Sequence, residues 1–286
     1  MVSVMGKRGL FLVWLCLVSI LPGMAQTEKL IDYVNPFVGT DGYGNVYPGA
    51  QIPFGGIQMS PDTDSKYYDA ASGYKYNHST LLGFSLTHLS GTGIPDLGDF
   101  LFIPGTGEMK LDPGTREEPE KGYRSRYSHE KEWASPNYYA VELSDYGVKA
   151  EMTSGVRSGM FRFTYPQSDK AFIMIDMNHT LWQSCEWANL RMENDSTITG
   201  YKLVKGWGPE RHVYFTAVFS KPFRDFGIMQ DTIPVKYNTN RFRSSLEAWG
   251  KDLRFWMRFP TRQGEVVTVK TAVSAVSSDG AKLNMQ

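Results

Sequence analysis

After residue 25 no stretch of this chain repeats its apolar residues at a helical period over ~12 residues, the length below which an isolated helix is marginal. What recurs is short alternation of apolar and polar residues, broken by turn formers. "NYYAVEL" (137–143) alternates, "SDYG" turns and "VKAEMTSG" (148–155) returns, which makes a hairpin. "GMFRFTYP" (159–166) and "AFIMIDM" (171–177) read as a second pair. Residues 197–206, 212–220, 253–260 and 265–277 supply further strands, and "STLLGFSLTHL" (79–89) is either one short helix or a strand. Thr, Val, Tyr and Phe suit a pleated, half-buried surface. The series predicts an all-β fold, a large antiparallel β-sandwich with little helix.

The first third differs. Residues 35–107 are dense in Gly and Pro, from "NPFVGTDGYGNVYPGAQIPFGG" through "SPDTDS" to "FIPGTG". Such runs form ordered, irregular turns, so long loops are expected near one end of the sandwich, where rigid scaffolds commonly carry binding surfaces. Aromatic residues make up 14% of the chain. They serve either a β-sandwich core or sugar stacking, and for any single ring the core is the ordinary use. Lys+Arg and Asp+Glu are equal at 30 each, with no basic stripe. That balance excludes nucleic acid and an acidic lipid surface as partners.

Lys7 and Arg8, the apolar run "GLFLVWLCLVSIL" and the small residues Gly23 and Ala25 follow the three-part plan of a secretory signal over residues 1–25. Residues 26–286 then form the sandwich domain of an exported (periplasmic, cell-surface or secreted) protein, with no membrane span after cleavage. Leu15 before Cys16 is too bulky for a lipoprotein signal. Cys185 is then the only cysteine, so no intrachain disulfide is available, and its ring-rich surroundings predict a buried, inert thiol.

The stretch that invites chemistry is "THLSGTGIPDLGD" (87–99). It lacks the Gly-Lys-Ser/Thr of a phosphate loop and the third glycine of a dinucleotide fingerprint. His88, Ser90 and Asp96 lie too close in sequence for a triad, and Ser90 lacks a Gly-x-Ser-x-Gly elbow. The five histidines (78, 88, 129, 179, 212) are scattered, and Asp62 and Asp64 lack the continuation of a calcium loop, so no metal ligand is assigned. Asp69, Asp96, Asp99 and Glu186 could serve as glycosidase carboxylates, but spacing does not pair them. In "WQSCEW", a strand would place Trp182 and Trp187 on opposite faces.

The succession "YVNPFVGTDGYGNVYPGAQIPFGGIQMSPDT", "SGYKYNHSTLLGFSLTHLSGTGIPDLGDFLFIPGTG" and "YSHEKEWASPNYYAVELSDYGVKAEMT" resembles the N-terminal domain of glycoside hydrolase family 92, in order from about residue 30 onward. The resemblance implies an N-terminal β-sandwich followed by a larger α/α barrel, in exo-acting, inverting, calcium-dependent α-mannosidases. The family's general acid, general base and most calcium contacts lie in the barrel, and the sandwich lends loops to the subsite for the terminal mannose. This chain stops at "TAVSAVSSDGAKLNMQ". No catalytic acid or base is therefore carried over, and Ca2+ is expected mainly from the barrel.

By position, the resemblance implies substrate-binding roles for Gly49 of "PGA", for His88, Ser90 and Gly91, and for Asp96 and Asp99. It also implies one for Tyr68-Asp69, which stand where relatives often have Trp-Asp. His88 and Asp99 either touch sugar or brace the loop. The implied partners are a mannose-containing glycan and the C-terminal barrel. Two other readings stay open, a stand-alone carbohydrate-binding module and a self-contained hydrolase using Asp69, Asp96, Asp99 or Glu186.

Overall fold

The structure, a computed structural model, describes residues 29–231 and 247–286, with the backbone alone of 233–235. The secretory signal expected over residues 1–25 lies outside them. The segment ending at Tyr33 is a separate unit whose described part is a 3-10 turn, Leu30–Tyr33.

From Val34 the chain is built of strands. In chain order they are β1 (Ser60–Asp62), β2 (Thr80–Leu81), β3 (Gly83–Ser85), β4 (Leu101–Thr106), β5 (Ser125–Arg126) and β6 (Glu132–Ser135). Next come β7 (Tyr138–Leu143), β8 (Val148–Ser154), β9 (Ser158–Tyr165), β10 (Ser168–Asp176), β11 (Ser184–Met192) and β12 (Thr197–Lys205). The rest are β13 (Arg211–Phe219), β14 (Asp225–Gln230), β15 (Ile233–Val235), β16 (Glu247–Gly250), β17 (Leu253–Thr261) and β18 (Glu265–Ser274). One short helix, α1 (Ser278–Asn284), follows, with Ser277 Oγ accepting from the Gly280 amide as its N-cap.

A seven-stranded sheet runs β1-β3-β4-β10-β17-β14-β15, and a nine-stranded sheet runs β16-β11-β12-β13-β18-β9-β8-β7-β6. β2 and β5 form a small third sheet, and every pairing is antiparallel. The predicted β-sandwich is what forms. Its inner faces meet through rings, with Phe102 5.0 Å from Phe161 and 6.3 Å from Phe215, and Phe84 6.3 Å from Phe161. Much of the aromatic content is therefore core.

The hairpin of β7 and β8 pairs as the alternation predicts, Tyr138 opposite Thr153 through Leu143 opposite Val148. The second expected pair does not form. β9 lies between β8 and β18 in the nine-stranded sheet, whereas β10 lies between β4 and β17 in the other. The burial patterns give the physical reason. β9 alternates buried and open positions, as a strand with one wet face must, while residues 171–176 of β10 are buried without a break. The two strands share a short arch that crosses between sheets, tied by Tyr165 Oη donating to the Phe172 carbonyl at 2.9 Å. Segment 79–89 forms extended pieces, β2 and β3, and no helix. Trp182 precedes β11 in an irregular turn, so the expectation of opposite faces for Trp182 and Trp187 does not apply.

Candidate functional site

Residues 87–99 form a loop closed at its neck. The Thr87 carbonyl accepts from the Gly98 amide at 2.8 Å, and the Leu86 amide donates to the Asp99 carbonyl at 2.9 Å. Thr87 Oγ1 accepts from the Asp99 amide and donates to Asp99 Oδ2 at 2.6 Å. The tip is exposed at Ser90, Gly91, Gly93 and Ile94.

Two other segments hold that tip. The Gly91 amide donates to the Asn45 carbonyl, and Tyr68 Oη donates to the Gly93 carbonyl. On the other side Gln183 Nε2 donates to the Pro95 carbonyl, the Leu181 amide to Leu97, and the Trp182 amide to Ser65. These bonds set the rings of Tyr68 and Trp182 edge to face, 6.0 Å apart, with 48% and 54% of their surfaces open. Trp182 has φ +62°, a conformation a bulky side chain adopts only at a cost. Asn45, Leu97, Phe100 and Trp182 are four of the seven non-glycine residues with positive φ among the described residues. Strain of this kind gathers where structure serves binding.

Behind the loop lie two buried polar nodes. Asp62 is wholly buried, and its oxygens take His88 Nε2 and His179 Nε2, each at 2.8 Å. His88 Nδ1 lies 2.7 Å from the Gln58 carbonyl, which can only accept, so His88 donates at both nitrogens. Burial works to raise the Asp62 pKa, but the histidines outweigh it and hold the carboxyl well below the usual range. Gly73, at φ +86°, makes room for this node, since a Cβ there would stand 2.0 Å from Asp62 Oδ1.

The second node centres on Asp99, also wholly buried. It accepts from Arg211 at 2.5 and 3.1 Å and pairs with Lys202 Nζ at 3.0 Å. Lys202 is itself fully buried, donates to the His179 carbonyl at 2.5 Å and lies over the Phe100 ring. Burial opposes ionisation of Asp99, yet Lys202 and Arg211 draw its pKa well below the usual range. Lys202 thus links the two nodes, tying the loop to both sheets.

This geometry places each expected residue. Tyr68, Asp69, Ser90 and Gly91 face solvent, and Asp96 is partly open, accepting from the Leu97 amide. His88 and Asp99 stand behind the loop as braces. Gly49 is a close-approach point, since a Cβ there would lie 2.0 Å from the Met59 carbonyl oxygen. Ser85, and not Ser90, lies against His88 Nε2, at 3.1 Å. Because that same nitrogen faces Asp62, the arrangement is not the relay of a hydrolytic triad. Asp99, saturated by cationic donors, has no proton to give, and Glu186 is held below the usual range by Ser184 and Lys251. Cys185 is buried, and desolvation above all raises its pKa, which disfavours the reactive thiolate.

Sequence reasoning missed Lys202 and Arg211, weighed Asp62 and His179 only as metal ligands, and undervalued Trp182. It also missed a cleft of about 590 Å³ beside Trp182, lined by Lys66, His179, Gln183, Lys251 and Arg254 among others. In its wall Asp176 accepts from Tyr123 Oη at 3.1 Å and faces Arg254 Nε at 3.4 Å. Calcium does not fit the acids first considered for it. Asp62 is filled by histidines, and Asp64 accepts from the amides of Ser65 and Lys66 and faces Arg116 at 3.4 Å. Among the described residues no group of three or more His, Cys, Asp or Glu is placed to hold a metal ion. No described helix is long and apolar enough to cross a membrane.

Residues 33–274 match the model of the glycosyl hydrolase family 92 N-terminal domain. A solved family GH92 alpha-mannosidase from Bacteroides thetaiotaomicron is 82% identical, with a TM-score of 0.87 over 90% of this chain and 35% of that one. That enzyme has also been solved in complex with mannoimidazole. A family GH92 inverting mannosidase from Bacteroides thetaiotaomicron VPI-5482, 23% identical with a TM-score of 0.73, covers 91% of this chain and 34% of its own, and shares the fold. An uncharacterized secreted glycosidase of Arthroderma benhamiae is 30% identical over 147 residues, 51% of this chain and 19% of that protein. The chain spans about a third of the length of the solved relatives. With its two antiparallel sheets and the loop cluster braced between them, the chain belongs to glycosyl hydrolase family 92, as the N-terminal domain of that family.

Proposed function

We propose that this domain builds one wall of the subsite for the terminal mannose of an exported exo-α-mannosidase, and that a following barrel domain supplies the acid, the base and the calcium. The observation that carries the reading is the half-open Tyr68–Trp182 corner beside the braced loop tip, in a chain 82% identical to part of a solved α-mannosidase. A ring covers the apolar face of a hexose, while the side chains of Asp69 and Ser90 read its hydroxyls. His88 and Asp99 act as positioning residues. They hold the tip still, so that little order is lost on binding. Export is supported by the signal-like N-terminus and by the name of the fungal relative.

The test uses the chain joined to its C-terminal part. Trp182→Ala is expected to lower kcat/KM on an α-mannoside about tenfold, equivalent to ~1.4 kcal/mol, mainly through KM. The melting temperature should hold, because the ring is half exposed and alanine meets the same φ of +62° that the tryptophan already adopts. An unchanged kcat/KM in a folded variant removes Trp182 from the subsite and the reading with it.

A further inference from the structure

Arg124 is 5% exposed and makes no ion pair among the described residues. Its Nη1 donates to the Thr63 carbonyl at 2.5 Å and to Thr80 Oγ1 at 3.2 Å, while its buried Nε–H has no partner. A buried guanidinium with an orphaned donor is costly, and proteins ordinarily give it a carboxylate or a phosphate. Arg124 lines a cavity of about 160 Å³ between residues 64–67 and 113–117, together with Lys66, Arg116 and Thr115. That volume holds about five waters at ~30 Å³ each, enough for a small oxyanion and its hydration.

The opposing charges are few and mostly engaged. Asp64 is turned to two backbone amides and to Arg116, and Glu117 lies out in solvent. Arg116 is oriented by donating to His78 Nε2 and by stacking over Tyr67, 4.9 Å from the ring centre. Burial first, and then Arg116, press His78 below the usual histidine range, so it stays a neutral acceptor and adds no charge. Three cations therefore face the cavity against one committed carboxylate and one solvated one. Ser65, Lys66, Leu82 and Pro113 line both this cavity and the cleft beside Trp182, so the two spaces adjoin.

We propose that this cavity is a binding site for a small oxyanion, a phosphoryl or carboxylate group, carried on a sugar that lies in the adjoining cleft. Only the sugar carrier rests on the glycan reading given above. The anion site rests on Arg124, Arg116 and Lys66 alone.

The experiment titrates the purified chain with inorganic phosphate, mannose 6-phosphate and mannose at constant ionic strength, reading melting temperature and calorimetric heat. Inorganic phosphate is expected to raise the melting temperature saturably, with at least tenfold weaker binding in Arg116→Gln and in Lys66→Gln. Both side chains are only partly buried or open, so these variants keep the fold where Arg124→Gln could lose it. Mannose 6-phosphate at least tenfold tighter than phosphate supports the sugar carrier, and equal affinity overturns that part while keeping the anion site. A flat response to both phosphates overturns the proposal. Mannose alone failing to bind the isolated chain leaves the anion site standing, and the one-wall mannose reading is decided separately by Trp182→Ala in the joined protein.

Discussion

Asp99→Ala is expected to cost about 3–5 kcal/mol of stability, because it leaves a fully buried lysine without its carboxylate. Lys202 has no route to water, and its remaining contacts are the His179 carbonyl and the face of Phe100. The urea midpoint measures the loss, and adding Lys202→Met to Asp99→Ala should restore much of it by removing the stranded charge. The same node sets an acid limit. Asp99 and Asp62 both hold depressed pKa values in the folded protein. In the unfolded chain a carboxyl takes its proton near pH ~4. Their stabilisation is therefore whole above that pH and drains away as pH falls toward the depressed folded values. The urea midpoint of the wild-type chain should fall more steeply below pH ~4 than that of the Asp99→Ala variant. Equal slopes would show that Asp99 is not held ionised by its partners.

Gly73→Ala is expected to be nearly as damaging. At φ +86° an alanine is strained. Its Cβ would also meet Asp62 Oδ1 at 2.0 Å and His88 Cδ2 at 3.1 Å, with both side chains already fixed by their own bonds. Asp62 must then leave at least one histidine, stranding charge in the interior, and a loss on the order of 3 kcal/mol follows. Because His88 anchors the start of the 87–99 loop, amide hydrogen exchange at the tip should also accelerate. A variant with the wild-type melting temperature and unchanged exchange would separate the Asp62 node from the loop.

The scaffold was legible where a strand has one wet face and a turn signal beside it. β7 and β8 alternate around "SDYG", and their register follows. β10 was not so legible. An unbroken apolar run says that both faces are buried and does not name the neighbouring strands, so its partners β4 and β17 could not be read. The 87–99 loop was legible as a loop from its glycines. Its braces were not, because Asp62 meets His179 across 117 residues of chain and Asp99 meets Arg211 across 112. The polar residues at or just past the ends of buried strands, Asp62 after "QMSP" and His179 after "MIDMN", were the local sign that such nodes exist. Cys185 carried its own sign in the rings around it, and burial agrees with that reading.

We propose that this domain shapes a mannose subsite whose chemistry comes from a following domain. The most direct measurement compares mannose release from an α-mannoside, with calcium present, by the chain alone and by the chain joined to a family 92 C-terminal part. The joined protein should release mannose, and the chain alone should release none even at high concentration. Mannose release by the chain alone, lost on Asp69→Asn or Asp96→Asn, would contradict the account and place the chemistry in this domain.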